Sequence, residues 1–198
     1  MAGRMKTTDR FSHPAHLVET KVDGEAIFDG KLLHVRRDTV RLPDGTLATR
    51  EYIVHPGAVL IVPVLPDGRL VIVRQFRYPL GRTLIEFPAG KLDPGEVPLV
   101  TAQRELREEA GYVAASWQRL GRVHSVVSYS TEEIELLVAE DLTHVGAKLD
   151  DGEFLEVGTM SEDEMLAALD RDEITDAKTV AALLLYVRRR RALPAGHR

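Results

Sequence analysis

The sequence predicts an α/β (α+β) sandwich with a mixed sheet, preceded by a small antiparallel β-sheet. Short runs with strand-like alternation fill the first half of the chain. Residues 58–64 form an almost wholly apolar run, which is typical of a strand buried on both faces. Helical periodicity covers residues 97–110 and recurs twice near the C-terminus. Strands interleaved with helices in this way favour layered packing around one core.

The N-terminal part, residues 25–54, is predicted to be strand. Residues 32–35 and 38–42 alternate between apolar and polar side chains, and Pro43-Asp44-Gly45 is a turn before a further strand at residues 48–55. These short strands, joined by a turn, predict a small antiparallel sheet.

The rest of the chain supplies the sandwich. The turn Pro66-Asp67-Gly68 joins the apolar run to a second strand, and Gly111 is a natural stop for the helix before it. The predicted strands are residues 58–64, 70–76, 83–87, 117–123 and 133–139, and the predicted helices are residues 97–110, 161–170 and 177–190.

Composition excludes several function classes. The 198 residues carry a net charge of −5, which argues against a general nucleic-acid binder. With no cysteine, the chain has no disulfide, zinc–thiolate site or cysteine nucleophile. We expect no signal peptide, no membrane span and a cytoplasmic location, with flexible ends at residues 1–20 and 193–198. The four arginines at residues 188–191 are interpreted as charges that complement a helix end.

The helix at residues 97–110 carries the most informative pattern. Glu105, Glu108 and Glu109 fall within an arc of roughly 100° on one face, whereas Leu106 and Ala110 belong to an apolar face. Carboxylates spaced in this way repel one another by about 0.2–0.5 kcal/mol per pair, and their oxygens suit Mg²⁺ or Mn²⁺. The alternative is a solvated acidic face paired with neighbouring arginines. Glycines on both sides of the helix favour the metal site, because a surface helix does not need them.

This segment resembles the Nudix box at every fixed position. The matching residues are Gly90, Glu96, Arg104, Glu105, Leu106, Glu108, Glu109, Gly111 and Tyr112. The resemblance implies an α/β/α sandwich that hydrolyses a nucleoside diphosphate linked to a second group, X.

The same resemblance implies the roles of the box residues. Glu105 and Glu109 would be the principal metal ligands, joined by Glu108 and the carbonyl of Ala89. Arg104 would pair with Glu96 in a structural role. A bound Mg²⁺, with Mn²⁺ as a substitute, would neutralise the diphosphate and activate a water molecule.

Weaker features outside the box resemble the ADP-ribose pyrophosphatase group. They are Arg50-Glu51, His55-Pro56-Gly57-Ala58-Val59, Gln75-Phe76-Arg77, Glu86-Phe87-Pro88-Ala89-Gly90 and Asp176-Ala177-Lys178-Thr179. This resemblance implies a homodimer that exchanges its N-terminal sheet, residues 21–56, ahead of a Nudix domain at residues 57–192. Arg50 and Arg77 become candidate substrate-binding residues, because a guanidinium grips two oxygens at once; the alternative is an ordinary surface arginine.

A second acidic cluster, Asp150-Asp151-Gly152-Glu153, lies in a predicted loop. The group resemblance implies that a loop glutamate acts here as general base or completes the metal site, and we select Glu153. Asp151 and a merely solvated loop are the alternatives, and Glu109 is a second candidate to orient the attacking water. The sequence thus nominates Glu109 and Glu153 as catalytic residues.

One departure concerns the substrate. Val127 stands where ADP-ribose enzymes usually carry a proline. The preferred reaction is ADP-ribose to AMP and ribose 5-phosphate. GDP-mannose, NADH and diadenosine polyphosphates remain alternative substrates, and a non-catalytic nucleotide-sensing domain is a remote alternative, disfavoured by the complete set of box carboxylates.

Overall fold

The computed structural model describes residues 14–149 and 151–192. Most of the expected flexible ends, residues 1–13 and 193–198, lie outside the described residues. The chain divides into two compact units. The first comprises residues up to 55 together with 128–130, and the second comprises residues 56–127 together with the chain from residue 131.

The first unit is a three-stranded antiparallel sheet in the order β1-β2-β3, which confirms the predicted N-terminal sheet. Its strands are β1 (Thr20–Asp29), β2 (His34–Arg41) and β3 (Leu47–Val54). The predicted strand at residues 32–35 is wrong in its first half. The amide of Gly30 donates to the carbonyl of Leu33, so residues 30–33 form the turn between β1 and β2.

The second unit contains two sheets. A mixed four-stranded sheet has the order β7-β4-β9-β8, in which only the β4–β9 pair is parallel. A three-stranded antiparallel sheet has the order β10-β5-β6. The bounds are β4 (Ala58–Pro63), β5 (Leu70–Arg77), β6 (Arg82–Glu86), β7 (Ala89–Lys91), β8 (Tyr112–Val123), β9 (Ile134–His144) and β10 (Leu155–Met160).

Helices cover both faces of the mixed sheet. They are α1 (Pro98–Ala110), α2 (Glu162–Asp170) and α3 (Ala177–Ala192). Strand β4 is buried throughout, and its side chains alternate between two cores. Val59 and Ile61 pack with Leu106 of α1, whereas Leu60 packs with Leu183 of α3. The second unit is therefore an α/β/α sandwich, as the sequence predicts.

Three of the four arginines at the end of α3 make intramolecular contacts. Arg189 donates to the carbonyl of Arg119 at 2.5 Å, and Arg190 lies 2.7 Å from the buried carboxylate of Glu162. Within the described part of the chain, no helix has the length and apolar character needed to cross a membrane.

Candidate active site

Helix α1 is fixed at both ends by its sequence. Proline at position 98 starts it, and Gly111 ends it in the left-handed conformation with φ of 75°. A Cβ atom at Gly111 would lie 2.5 Å from the backbone nitrogen of Ala147, so only glycine fits. The carbonyl of Gly111 accepts from the amide of Val145, and the carbonyl of Glu108 accepts from the amide of Lys148. The segment that leads to the acidic loop is thereby fastened to the end of α1.

Glu109 is the most deeply buried carboxylate of α1, with 5% of the residue exposed. Its Oε2 accepts one hydrogen bond, from the amide of Ala89 at 3.0 Å. Burial raises the pKa of Glu109 to about 8, and the nearby carboxylates of Glu105 and Glu153 act in the same direction. Near neutral pH, without a bound cation, this group keeps its proton.

Glu105 lies against the backbone of β7. A Cβ atom at Gly90 would sit 1.9 Å from the Glu105 carboxylate, so a side chain at position 90 would displace it. Burial raises the pKa of Glu105, Arg104 opposes this rise, and the charges of Glu108 and Glu153 add to it.

Arg104 connects the loop before α1 with the carboxylates on the helix. Its guanidinium lies 3.1 Å from Glu96, 2.7 Å from Glu105 and 3.3 Å from Glu108. The hydrogen bonds from Arg104, followed by that from Thr101, lower the pKa of Glu96 to about 2. The acidic face is therefore partly neutralised by the protein's own cation.

Glu153 occupies the short segment between the Gly152 turn and β10, and it is half-buried. Because its charge raises the pKa of both Glu105 and Glu109, it belongs to the same electrostatic cluster. Of the other acidic candidates, Asp151 is exposed, Glu156 pairs with Arg74 at 3.0 Å, and Asp150 lies outside the described residues.

The two candidate arginines have different surroundings. Arg77 forms a two-pronged ion pair with Glu86, and its charge acts on the pKa of Glu109. Arg50 belongs to the first unit, where its guanidinium pairs with Glu19 at 2.5 Å.

Sequence reasoning assigned no role to Glu86, Asp176 or Lys178. Glu86 is buried, and it accepts hydrogen bonds from Arg77 and Lys178. Lys178 also lies 3.0 Å from Asp176. All three residues occur in segments that resemble the ADP-ribose pyrophosphatase group, but nothing in the linear sequence indicates that they touch one another.

The acidic cluster suits a divalent cation by its chemistry. Within residues 14–149 and 151–192, no three acidic or histidine side chains converge closely enough to hold a metal in the present conformation. Glu105 and Glu108 instead lie within ion-pair distance of Arg104. Carboxylate oxygens are the ligands that Mg²⁺ and Mn²⁺ prefer, and a buried carboxylate with an unusually high pKa is one that a cation would stabilise in its ionised form. The donor set therefore fits such an ion.

Comparison with known families identifies the class. The NUDIX domain family matches residues 54–183, and the family called nucleoside diphosphate sugar hydrolase N-terminal domain matches residues 19–53. The chain belongs to the Nudix family and is a Nudix hydrolase, which confirms the resemblance inferred from the box.

Two known proteins and one solved structure are similar to this chain over most of its length. An ADP-ribose pyrophosphatase of Bacillus subtilis (strain 168) is 38% identical over 181 residues, covering 90% of this chain and 97% of the relative. A methanol dehydrogenase activator of Bacillus methanolicus is also 38% identical, over 83% of this chain and 90% of its own. The crystal structure of an ADP compounds hydrolase superposes with a TM-score of 0.79 at 26% identity, covering 87% of this chain and 94% of that one.

Proposed function

We propose that this Nudix hydrolase is a divalent-metal-dependent ADP-ribose pyrophosphatase, which converts ADP-ribose into AMP and ribose 5-phosphate with Mg²⁺ or, as a substitute, Mn²⁺. The observation that carries the proposal is the buried carboxylate of Glu109, grouped with Glu105 and Glu153 and within electrostatic reach of Arg77. A site that combines hard anionic ligands with a fixed guanidinium suits a metal–diphosphate complex.

Glu105 and Glu109 would hold the cation, and Glu108 and the carbonyl of Ala89 would complete its ligands. Glu153 would either join these ligands or act as the general base. When bound, the metal neutralises the diphosphate and lowers the pKa of a water molecule. Because Glu109 carries a proton in the metal-free protein, it must lose that proton to act as a ligand, and metal binding therefore strengthens as the pH rises.

In the proposed reaction, a water oxygen attacks one phosphorus atom of the diphosphate. The bond from that phosphorus to the bridging oxygen breaks, and the bridging oxygen leaves with the other phosphate. Glu153 takes the proton of the water, with Glu109 as the second candidate for this role. Arg77 grips non-bridging oxygens, because a guanidinium offers two parallel N–H groups. Substrate binding by Arg50 stays a prediction from the sequence.

The relatives support ADP-ribose as substrate without singling it out. The Bacillus subtilis relative bears that activity in its name, whereas the Bacillus methanolicus relative is equally identical and bears a different one. Val127, whose side chain lies in an exposed turn, replaces the expected proline. These observations keep GDP-mannose, NADH and diadenosine polyphosphates as the second candidate substrates.

A substrate panel tests the proposal. The purified chain is stripped with EDTA and incubated with each of these four kinds of compound, with and without added Mg²⁺ or Mn²⁺, and the products are separated by ion-exchange chromatography. We expect metal-dependent formation of AMP and ribose 5-phosphate, with the highest kcat/KM for ADP-ribose. Glu109→Gln should abolish turnover, and Glu173→Gln, which changes an exposed carboxylate paired with Arg171, should not.

Two other results of the panel would contradict the proposal. A higher kcat/KM for NADH or GDP-mannose than for ADP-ribose would show that ADP-ribose is not the preferred substrate. A complete lack of cleavage at saturating metal would favour the non-catalytic nucleotide-sensing alternative.

We also propose that the enzyme is a cytoplasmic homodimer that pairs through the N-terminal sheet. All ten residues of β1 are exposed, including the apolar Val22, Ile27 and Phe28. An exposed edge strand with apolar side chains is a typical pairing surface. Light scattering after size-exclusion chromatography should give twice the mass of 22.0 kDa, and Phe28→Lys should shift the population toward monomer. A wild-type monomer at assay concentration would reject the dimer.

A further inference from the structure

A network of charged side chains lies beside the acidic cluster. Glu86, at the end of β6, is a carboxylate with only 1% of its side chain exposed. Nε and Nη2 of Arg77 donate to its two oxygens at 2.7 and 2.8 Å, and Nζ of Lys178 also donates to Oε2. Burial alone would raise the pKa of Glu86, but these two cations outweigh it and hold that pKa below the ordinary value. Glu86 is therefore an anion with a fixed set of donors.

The sheet and α3 bring the members of this network together. Glu86 pairs with Val73 of β5, and Arg77 lies four residues farther along β5 on the same face. That separation is about 13 Å, which an extended arginine and glutamate can span together. From the other side, Asp176 accepts from the amide of Thr179 at the start of α3 and lies 3.0 Å from Lys178. Arg77 from β5 and Lys178 from the first turn of α3 thus both contact Glu86.

This geometry determines which edge of Arg77 is free. Glu86 occupies the edge formed by Nε and Nη2, and among the described residues no hydrogen bond is made by Nη1. The opposite edge, Nη1 with the second Nη2 hydrogen, can grip two oxygens of one phosphate. Three residues beyond Glu86, the amide of Ala89 donates to Glu109, and the charge of Arg77 lowers the pKa of Glu109. The pair of Arg77 and Glu86 therefore lies in the neighbourhood of the acidic cluster.

We propose that Glu86, held by Lys178, is a positioning residue that orients Arg77 toward the diphosphate of the substrate. The inference rests on the proposed pyrophosphohydrolase function and deepens it. Glu86 acts only through Arg77 and touches neither substrate nor metal. Its removal should therefore weaken substrate binding through loss of orientation, although it leaves the site more positive.

The sign of the effect separates positioning from simple electrostatics. Glu86→Gln removes one negative charge, so a purely electrostatic effect would lower KM for an anionic substrate. Positioning predicts that KM rises by about tenfold or more, with kcat changed by less than about threefold, because a charge-assisted grip on phosphate is lost. We measure both constants for the panel compound that the wild type cleaves best. The control is Glu173→Gln, which removes an equally two-pronged but exposed pair with Arg171.

A double-mutant cycle tests whether Glu86 acts through Arg77. In the Arg77→Ala background, Glu86→Gln should cause no further rise in KM, because nothing remains to be positioned. If Glu86→Gln unfolds below the assay temperature, Glu86→Asp takes its place. This variant keeps the charge but withdraws the carboxylate by one methylene, and KM should again rise.

The outcomes distinguish this inference from the function on which it rests. A KM that is unchanged or lowered in the Glu86 variants, or a rise that persists without Arg77, overturns the positioning role while wild-type turnover leaves the proposed function intact. A wild type that cleaves no diphosphate compound overturns both.

Discussion

Replacing Glu109 by glutamine should abolish turnover and, at alkaline pH, stabilise the metal-free fold. Glutamine has the same shape, and its oxygen can still accept from the amide of Ala89, but it cannot ionise. The variant thus removes the charge that the proposed metal requires and that burial disfavours when no metal is bound.

The magnitude follows from the pKa of Glu109, which is about 8 in the folded chain against an ordinary value of 4.5. A carboxyl group whose pKa is higher in the folded state binds more protons there, so stability falls as the pH rises between these values. At 1.36 kcal/mol for each pH unit, the loss over the whole window is about 5 kcal/mol, and about 3 kcal/mol of it falls above pH 5.5. Glu105, whose pKa is also raised by burial, adds a loss of the same sign in both proteins.

The assay is urea unfolding of EDTA-treated wild type and Glu109→Gln at pH 5.5 and pH 8.5. The difference between the two proteins cancels the titrating groups that do not interact with Glu109. Between these pH values the stability of the variant should therefore rise by about 3 kcal/mol relative to that of the wild type. Adding Mg²⁺ at pH 8.5 should stabilise the wild type by about 2.7 kcal/mol at a hundred times the dissociation constant, and the variant far less. A difference in stability that does not depend on pH would refute the reasoning.

Three further predictions concern the support of the site. Gly90→Ala should lower kcat at least about hundredfold and weaken activation by Mg²⁺ in a metal titration, because the added methyl group displaces Glu105. Leu106→Ala should lower the free energy of unfolding by about 2–5 kcal/mol in urea, because a fully buried side chain is removed from the core beneath α1. Arg104→Met should lower kcat/KM at least about tenfold, because the loop loses its contact with Glu96; unchanged steady-state kinetics would argue against that role.

The sequence predicted those strands and helices whose formation depends on residues close together in the chain. The apolar run of β4 and the periodicity of α1 with its terminal glycine are visible within a few residues of sequence. Residues 32 and 33 were wrongly predicted to belong to a strand, because alternating side chains do not reveal the hydrogen bond between Gly30 and Leu33 that reverses the chain. The three-residue strand β7 has no apolar run of its own, and it exists because it pairs with β4.

The candidate site likewise has features that follow from local sequence and features that arise only in the folded chain. Glu105, Glu108 and Glu109 share a helix face, so their proximity follows from sequence spacing alone. The contact between Glu86 and Lys178 spans 92 residues and exists only after β6 and the start of α3 have packed. Spacing also predicts nothing about depth, which is why the raised pKa of Glu109 emerges only from the folded structure.

The hydrogen bonds that fasten residues 145–148 to the end of α1 limit how far Glu153 can travel. On its other side, Glu153 is two residues from the first residue of β10, a reach of about 7 Å at full extension. Glu153 therefore lies on a short segment that is anchored at both ends, by the hydrogen bonds at residues 145–148 and by β10. In the proposed mechanism, the length of the segment between Lys148 and Leu155 therefore sets which positions Glu153 can reach. Adding or deleting one residue there should change kcat.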